Sequence, residues 1–200
     1  MTITREADLF HQRPTPIVGK AVPSPIGSMN FNLLRALLDE GAFLKLHRGA
    51  EIGVFEGNTS AHLLASFSAL EMYCVDPFVE YSQFEHDKTS EKMTTCEAKA
   101  RACLAPFGAR AKIIKSFSVE AAKSVESDSL DFVFIDALHT FDAVTEDLNA
   151  WYRTVRPGGL VAGHDFSWPG VPEALEKFIA PLGKAAFYSP STSDVWFFVK

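Results

Sequence analysis

Gly49-Ala-Glu51-Ile-Gly53-Val-Phe-Glu-Gly57-Asn-Thr-Ser60-Ala-His-Leu-Leu64 is the stretch from which the rest of the chain is read. Ala50, Ile52 and Val54 make a short apolar run that meets a turn with glycine at 53 and 57. Asn58, Thr59 or Ser60 offers a helix N-cap, and Leu63, Leu64 and Phe67 continue at helical spacing. Strand, glycine turn and helix start form the unit with which doubly wound α/β domains build a nucleotide-binding crevice. Glycine at 53 and 57 lets backbone approach a ligand where a Cβ would collide. The spacing is GxxxG, not the GxGxxG of dinucleotide binders.

With 200 residues and 47% apolar content, the chain suits one domain with a substantial core. A net charge of −6, from 19 basic and 25 acidic residues, opposes a nucleic-acid or anionic-membrane partner. Cys74, Cys96 and Cys103 show neither metal spacing nor an even disulfide framework, which points to a reducing cytoplasm. No apolar run approaches the roughly 20 residues that span a bilayer. The first residues hold no apolar signal core. The expectation is a soluble cytoplasmic domain, with the choice between monomer and homo-oligomer open.

Pro14, Pro16, Pro23 and Pro25, with Gly19 and Gly27 between them, make residues 1–28 an arm without regular helix. It is either loosely packed or a lid over a site or a neighbouring subunit, and residues 29–200 form the domain. Asn30 caps a helix through Leu38 that ends near Gly41. Residues 71–76 are a second buried strand, stopped by Pro77, and a helix over about 85–104 follows. Phe78, Tyr81 and Phe84 either line a pocket or pack in the core. Residues 111–116 are a third strand. The continuous apolar run in 131–136 marks a fourth, parallel and buried on both faces. Helices over about 119–125, 142–155 and 171–179 alternate with these strands, and Arg156-Pro-Gly-Gly159 breaks the chain before a fifth strand, 160–165. Residues 184–188 and 195–200 read as an antiparallel pair. The pattern predicts a mainly parallel sheet with right-handed crossovers and helices on both faces.

In such sheets ligands bind at the carboxyl ends of the strands. The 53–57 turn, Asp76, Ser118, Asp136 with His139, and His164 with Asp165 all fall there. Asp76 lies about 20 residues after the glycine turn, where a carboxylate accepts hydrogen bonds from both ribose hydroxyls. The other reading of Asp76 is a turn-initiating Asp-Pro.

At this point the chain resembles the class I S-adenosylmethionine (SAM)-dependent methyltransferases from about residue 30 onward. The resemblance rests on Glu51-Ile-Gly-Val-Phe-Glu-Gly-Asn-Thr59, Asp76, Asp131–Asp136, Arg156-Pro-Gly-Gly159 and the closing hairpin, in order. It implies a seven-stranded sheet ordered 3-2-1-4-5-7-6. Within the family the chain is most similar to small-molecule, sugar-type O-methyltransferases that need a divalent metal such as Mg²⁺. Asp136-Ala-Leu-His139 matches that subgroup's Asp-x-x-His; its later acidic pair is here His164-Asp165, and its Gly-Asp-Ser is Ser116-Phe117-Ser118. The resemblance implies SAM contacts at Glu51, Gly53, Gly57, Asp76, Phe117, Ser118 and Asp136, and a metal at Asp136, Asp165 and His164.

Methyl transfer to an alcohol needs an aligned, partly deprotonated nucleophile. His139 suits the base, since a histidine titrates near pH 6.5, with Asp136 beside it as a second catalytic candidate. Asp136 and Asp165 end strands that the family topology makes neighbours, about 4.8 Å apart, and two carboxylates so close call for a cation or proton. Alternatively Asp136 caps the following turn and His164 bonds within its loop. Glu51 is a cofactor contact by way of the glycine loop or a surface charge. Glu56 meets a methionine amino group or solvent, and Phe166 and Trp168 form an acceptor wall or structural packing. The expected partner is a small-molecule acceptor. Two alternatives stand beside a methyltransferase: a nicotinamide-dependent oxidoreductase and a SAM-binding protein without catalysis.

Overall fold

Strands and helices alternate along most of the chain in this computed structural model, which describes residues 4–5, 38, 46–83, 86–88, 90–184, 186–188 and 194–200. In order they are β1 (Thr4–Arg5), β2 (Arg48–Ile52), α1 (Asn58–Ser66), β3 (Glu71–Val75), β4 (Tyr81–Gln83), β5 (His86–Lys88) and α2 (Ser90–Leu104). Then follow β6 (Ala111–Ile114), α3 (Ser118–Ala122), β7 (Leu130–Ile135), α4 (Phe141–Tyr152) and β8 (Val155–Gly163). Helix α5 (Gly170–Ile179), β9 (Phe187–Tyr188) and β10 (Trp196–Val199) complete the chain.

The main sheet has the order β1-β9-β10-β8-β7-β2-β3-β6, and β4 and β5 form a separate antiparallel ribbon. Strands β6, β3, β2, β7 and β8 run parallel, whereas β10 is antiparallel to both β8 and β9. The mainly parallel α/β architecture is as expected. The sheet holds eight strands rather than seven, because Thr4–Arg5 pairs in parallel with β9 at its edge.

Every residue of β7 is buried, as its apolar run requires for a strand covered on both sides. Val133 and Ile135 pack with Val144, Leu148 and Trp151 of α4 and Ala174 and Leu175 of α5. Phe132 and Phe134 face the opposite layer, with Leu63 and Leu64 of α1 and Ala100 and Leu104 of α2. Leu130 packs in the first of these layers and Phe132 in the second, and the β7–β8 register shifts between them, with the extra residues in β8.

Several local expectations change. No Asn58, Thr59 or Ser60 side chain caps α1; Gly57 holds that position in a left-handed conformation, φ 84°. The segment 156–159 does not break the chain before the fifth strand but lies within β8, and the backbones of Gly158 and Gly159 bond to Lys200. Strand β8 stops at Gly163, where an added Cβ would lie 2.3 Å from the Trp196 ring, so His164 and Asp165 fall in the loop beyond. The helix expected from 85 starts at Ser90, because the β4–β5 ribbon takes up the residues before it. Phe78 packs in the core. The rest of the 1–28 arm, most of the Asn30 helix, the Tyr81 side chain and Phe84 lie outside the described residues.

Candidate active site

The carboxyl ends of β3, β2 and β7 open into a cavity of about 780 Å³. Gly53, Asp76, Phe117, Ser118, Asp136 and His139 all line it, so six of the sequence candidates converge. Parallel strands cause this convergence by ending on one edge of the sheet. Glu51 and Gly57 are not among the lining residues, and each has a different job.

Gly53 sits at φ +91°, and a Cβ there would lie 2.1 Å from the Asp136 carbonyl oxygen. Its missing side chain lets the glycine turn lie against the loop after β7, joining two walls of the cavity. At Gly57 the nearby group is helix α2, with Ala100 Cα 3.2 Å from an added Cβ. The missing side chain at 57 therefore makes room for helix α2. Glu51 is 1% exposed and accepts the Ser60 backbone N–H at 3.0 Å, together with the Ser60 hydroxyl. It is neither a surface charge nor a cavity residue. Burial pushes its carboxyl up to about 8, against the Ser60 hydrogen bonds. Glu56 turns away to Lys99, at 2.7 Å.

Asp76 spans two backbone donors, Phe55 N–H at 2.9 Å and Phe78 N–H at 2.7 Å. Both phenylalanines have positive φ, 51° and 48°. The carboxylate thus pins two strained residues while lining the cavity. Burial raises its pKa, and the backbone hydrogen bonds oppose that rise.

His139, which lines the cavity, has its Nε2 2.6 Å from Oδ2 of Asp165, which with His164 is not among the lining residues. His164 Nδ1 is 3.0 Å from Asp165 Oδ2 and 3.7 Å from Asp136 Oδ1. Burial raises Asp136 to about 6, with the charge of His164 opposing and that of Asp165 adding. Burial acts to lower His164, but Asp165 and Asp136 outweigh it and lift the imidazole to about 9. Burial likewise acts to raise Asp165, yet contacts with His139 and His164 hold it well below the usual carboxylate range. Thr140, not Asp136, caps α4, through Ala143 N–H at 3.3 Å. Trp168 lines the cavity with its ring centroid 5.4 Å from that of His139, while Phe166 packs against the core.

Donor atoms of Asp136, His139 and Asp165 lie within 4.8 Å of one another. His139 Nε2 is buried and makes no directed hydrogen bond, although the Asp165 oxygen is close. Three donors gathered in this way fit a divalent cation. The donors that cluster are those of Asp136, His139 and Asp165, while the His164 nitrogen faces Asp136 and Asp165 as an ion-pair partner.

Sequence reading missed Asp147. It lies on the buried stripe of α4 with Val144, Leu148 and Trp151, and it lines the cavity. An acidic residue on an apolar helical stripe was the available signal. Burial raises its carboxyl to about 6, while the Ser118 hydrogen bond opposes the rise.

A family model described as a methyltransferase domain matches residues 50–166, which contain most of these groups. "Uncharacterized protein R132" of Acanthamoeba polyphaga mimivirus is 28% identical over 153 residues, 72% of this chain and 64% of that protein. The chain thus spans less than two thirds of that relative's length. Among solved structures, an O-methyltransferase from Bacillus cereus in complex with SAH is similar with a TM-score of 0.63 at 15% identity. That likeness covers 90% of this chain and 84% of the other. The O-methyltransferase NovP is similar with a TM-score of 0.65 at 13% identity, over 86% and 79%. No helix among the described residues is long and apolar enough to cross a membrane.

Proposed function

The chain belongs to this methyltransferase-domain family, of class I fold, and from that premise we propose that it transfers a methyl group from SAM to a hydroxyl of a small molecule. The charge of the cavity carries this reading. Asp76, Glu120, Asp136, Glu146 and Asp147 line it, and no lysine or arginine is among its described lining residues. Such a wall suits a ligand with sulfonium and ammonium charges and repels the pyrophosphate of a nicotinamide dinucleotide. Glu51 adds to the discrimination by occupying the N-terminus of α1, the helix end that dinucleotide folds leave open to phosphate.

In this reading Asp76 holds the ribose hydroxyls and Gly53 gives the cofactor a close path along the turn. The exposed ring of Phe117 offers a stacking face. Without a cation, His139, beside Trp168 and oriented by Asp165, takes the hydroxyl proton; with a cation bound, its nitrogen is a ligand instead. Asp136, His139 and Asp165 would hold a divalent cation. When bound, such a cation supplies Lewis-acid stabilisation of the developing alkoxide. This cluster of proton-handling groups favours catalysis over cofactor binding alone.

Thermal unfolding with S-adenosylhomocysteine (SAH) or NADH tests the proposal. SAH raises Tm by several degrees and NADH leaves it unchanged; the reverse pattern rejects a SAM site. Transfer of labelled methyl from SAM to a panel of phenols and sugars then reads the acceptor class.

A further inference from the structure

Asp165 enters the cation cluster from a tight turn that is gripped by the chain just before β10. The Trp168 N–H bonds to the Asp165 carbonyl at 3.0 Å, closing a four-residue turn with Phe166 and Ser167 at its corners. The two ends of that turn are functional, since Asp165 is a donor of the cluster and Trp168 lines the cavity. Both corner N–H groups are taken by Asp194. Its backbone carbonyl accepts that of Phe166 at 3.2 Å, and its carboxylate accepts that of Ser167 at 3.0 Å together with the Ser167 hydroxyl.

The pairing of β10 with β8 explains this reach. Trp196 lies opposite Gly163 in the antiparallel pair, so Asp194, two residues earlier, comes level with Asp165. Trp196 anchors the start of the loop, with its ring against Gly163 and its indole N–H on the His164 carbonyl at 3.0 Å. Asp194 holds the far corner. Asp165 sits at φ 57°, a conformation that a non-glycine residue keeps where neighbouring contacts impose it.

We propose that Asp194 is a positioning residue for the cation site. By clamping the turn over 165–168 it aims the Asp165 carboxylate at Asp136 and His139 and keeps Trp168 on the cavity wall. This rests on the cation site proposed above. Asp194 is not among the cavity-lining residues, and it acts through its hydrogen bonds to the turn rather than through its charge.

Calorimetric titration of the full chain with Mn²⁺, and separately with SAH, tests the assignment in two variants. Asp194→Gly tolerates the native φ of 55° but has no acceptor, whereas Asp194→Asn keeps an acceptor oxygen and loses the charge. Asp194→Gly should weaken Mn²⁺ binding about fivefold or more and Asp194→Asn about twofold or less, with SAH affinity within about twofold of wild type in both. Unchanged Mn²⁺ affinity in Asp194→Gly overturns the assignment, and so does an equal loss in both variants, which marks a charge effect. A parallel loss of SAH affinity, or of the fold, makes Asp194 a structural residue and also overturns it. Wild type that binds no Mn²⁺ rejects the cation site itself, and the clamp is then judged by acrylamide quenching of the fluorescence that Trp168→Phe removes. Stronger quenching in Asp194→Gly than in wild type and Asp194→Asn supports it; equal quenching in all three overturns it.

Discussion

Glu51 of β2 accepts the backbone N–H of Ser60 at 3.0 Å and so places a carboxyl group at the N-terminus of α1. One of the first-turn backbone donors of a strand, glycine turn and helix that resemble a phosphate cradle is thereby taken up by the protein's own side chain. The same contact ties the glycine turn to the helix beyond it, because Glu51 precedes the turn and Ser60 follows it. Cys74 Sγ lies 3.3 Å from Ser60 Oγ and extends the buried group into β3.

Replacing Glu51 separates its hydrogen bonding from its proton. Glu51→Ala leaves the Ser60 N–H and hydroxyl buried without their acceptor and costs about 2–4 kcal/mol. Glu51→Gln retains an acceptor and costs less. The native carboxyl titrates near 8, raised first by burial, so the folded chain carries an extra proton between about pH 4.5 and 8. Stability from this group is full below the lower value and is lost as pH rises through the upper one. Denaturant unfolding at pH 5, 6.5 and 8 should show wild type losing stability relative to Glu51→Gln as pH rises. Parallel curves would contradict the buried proton.

Asp76→Ala removes the acceptor that holds Phe55 and Phe78 at positive φ as well as the proposed ribose partner. Stability falls by about 2–3 kcal/mol, and SAH affinity measured by calorimetry falls at least tenfold. A stability loss with unchanged affinity would leave Asp76 as a turn residue alone.

The two glycines of the turn should respond differently. Gly53→Ala drives a Cβ into the Asp136 backbone at 2.1 Å and costs about 3 kcal/mol or more, with loss of SAH binding. Gly57→Ala meets Ala100 Cα at 3.2 Å and sits at φ +84°, so it costs about 1–2 kcal/mol. Because Gly57 is not among the cavity-lining residues, SAH affinity of the folded Gly57→Ala protein should stay within about twofold of wild type. Equal affinity losses at both positions would refute this division of roles.

His139→Ala and Asp165→Asn should weaken Mn²⁺ binding about tenfold or more, measured by calorimetry without substrate. SAH affinity should change by less than about twofold, since neither residue faces the ribose end. Trp168 lies 5.4 Å from His139, ring centroid to centroid, so its fluorescence should report the metal titration, and Trp168→Phe should remove that signal. Mn²⁺ binding unaffected by both substitutions would exclude this cluster as the cation site.

The sequence alone determined the alternation of strands and helices, and with it the edge of the sheet where Gly53, Asp76, Ser118, Asp136 and His139 gather. Those positions were legible because a parallel strand announces itself by a continuous apolar run, and its carboxyl end by the first polar or glycine residue. Side-chain direction and packing between distant segments were not legible in that way. Only the tertiary structure turned Glu51 toward α1, set Gly57 against α2, and grouped His139 rather than His164 with Asp136 and Asp165. It also brought Asp147 to the cavity, since α4 packs beside α3 and carries a carboxylate that no strand-end rule could locate. Strand ends follow from chain connectivity, whereas these four contacts depend on how elements far apart in sequence pack together.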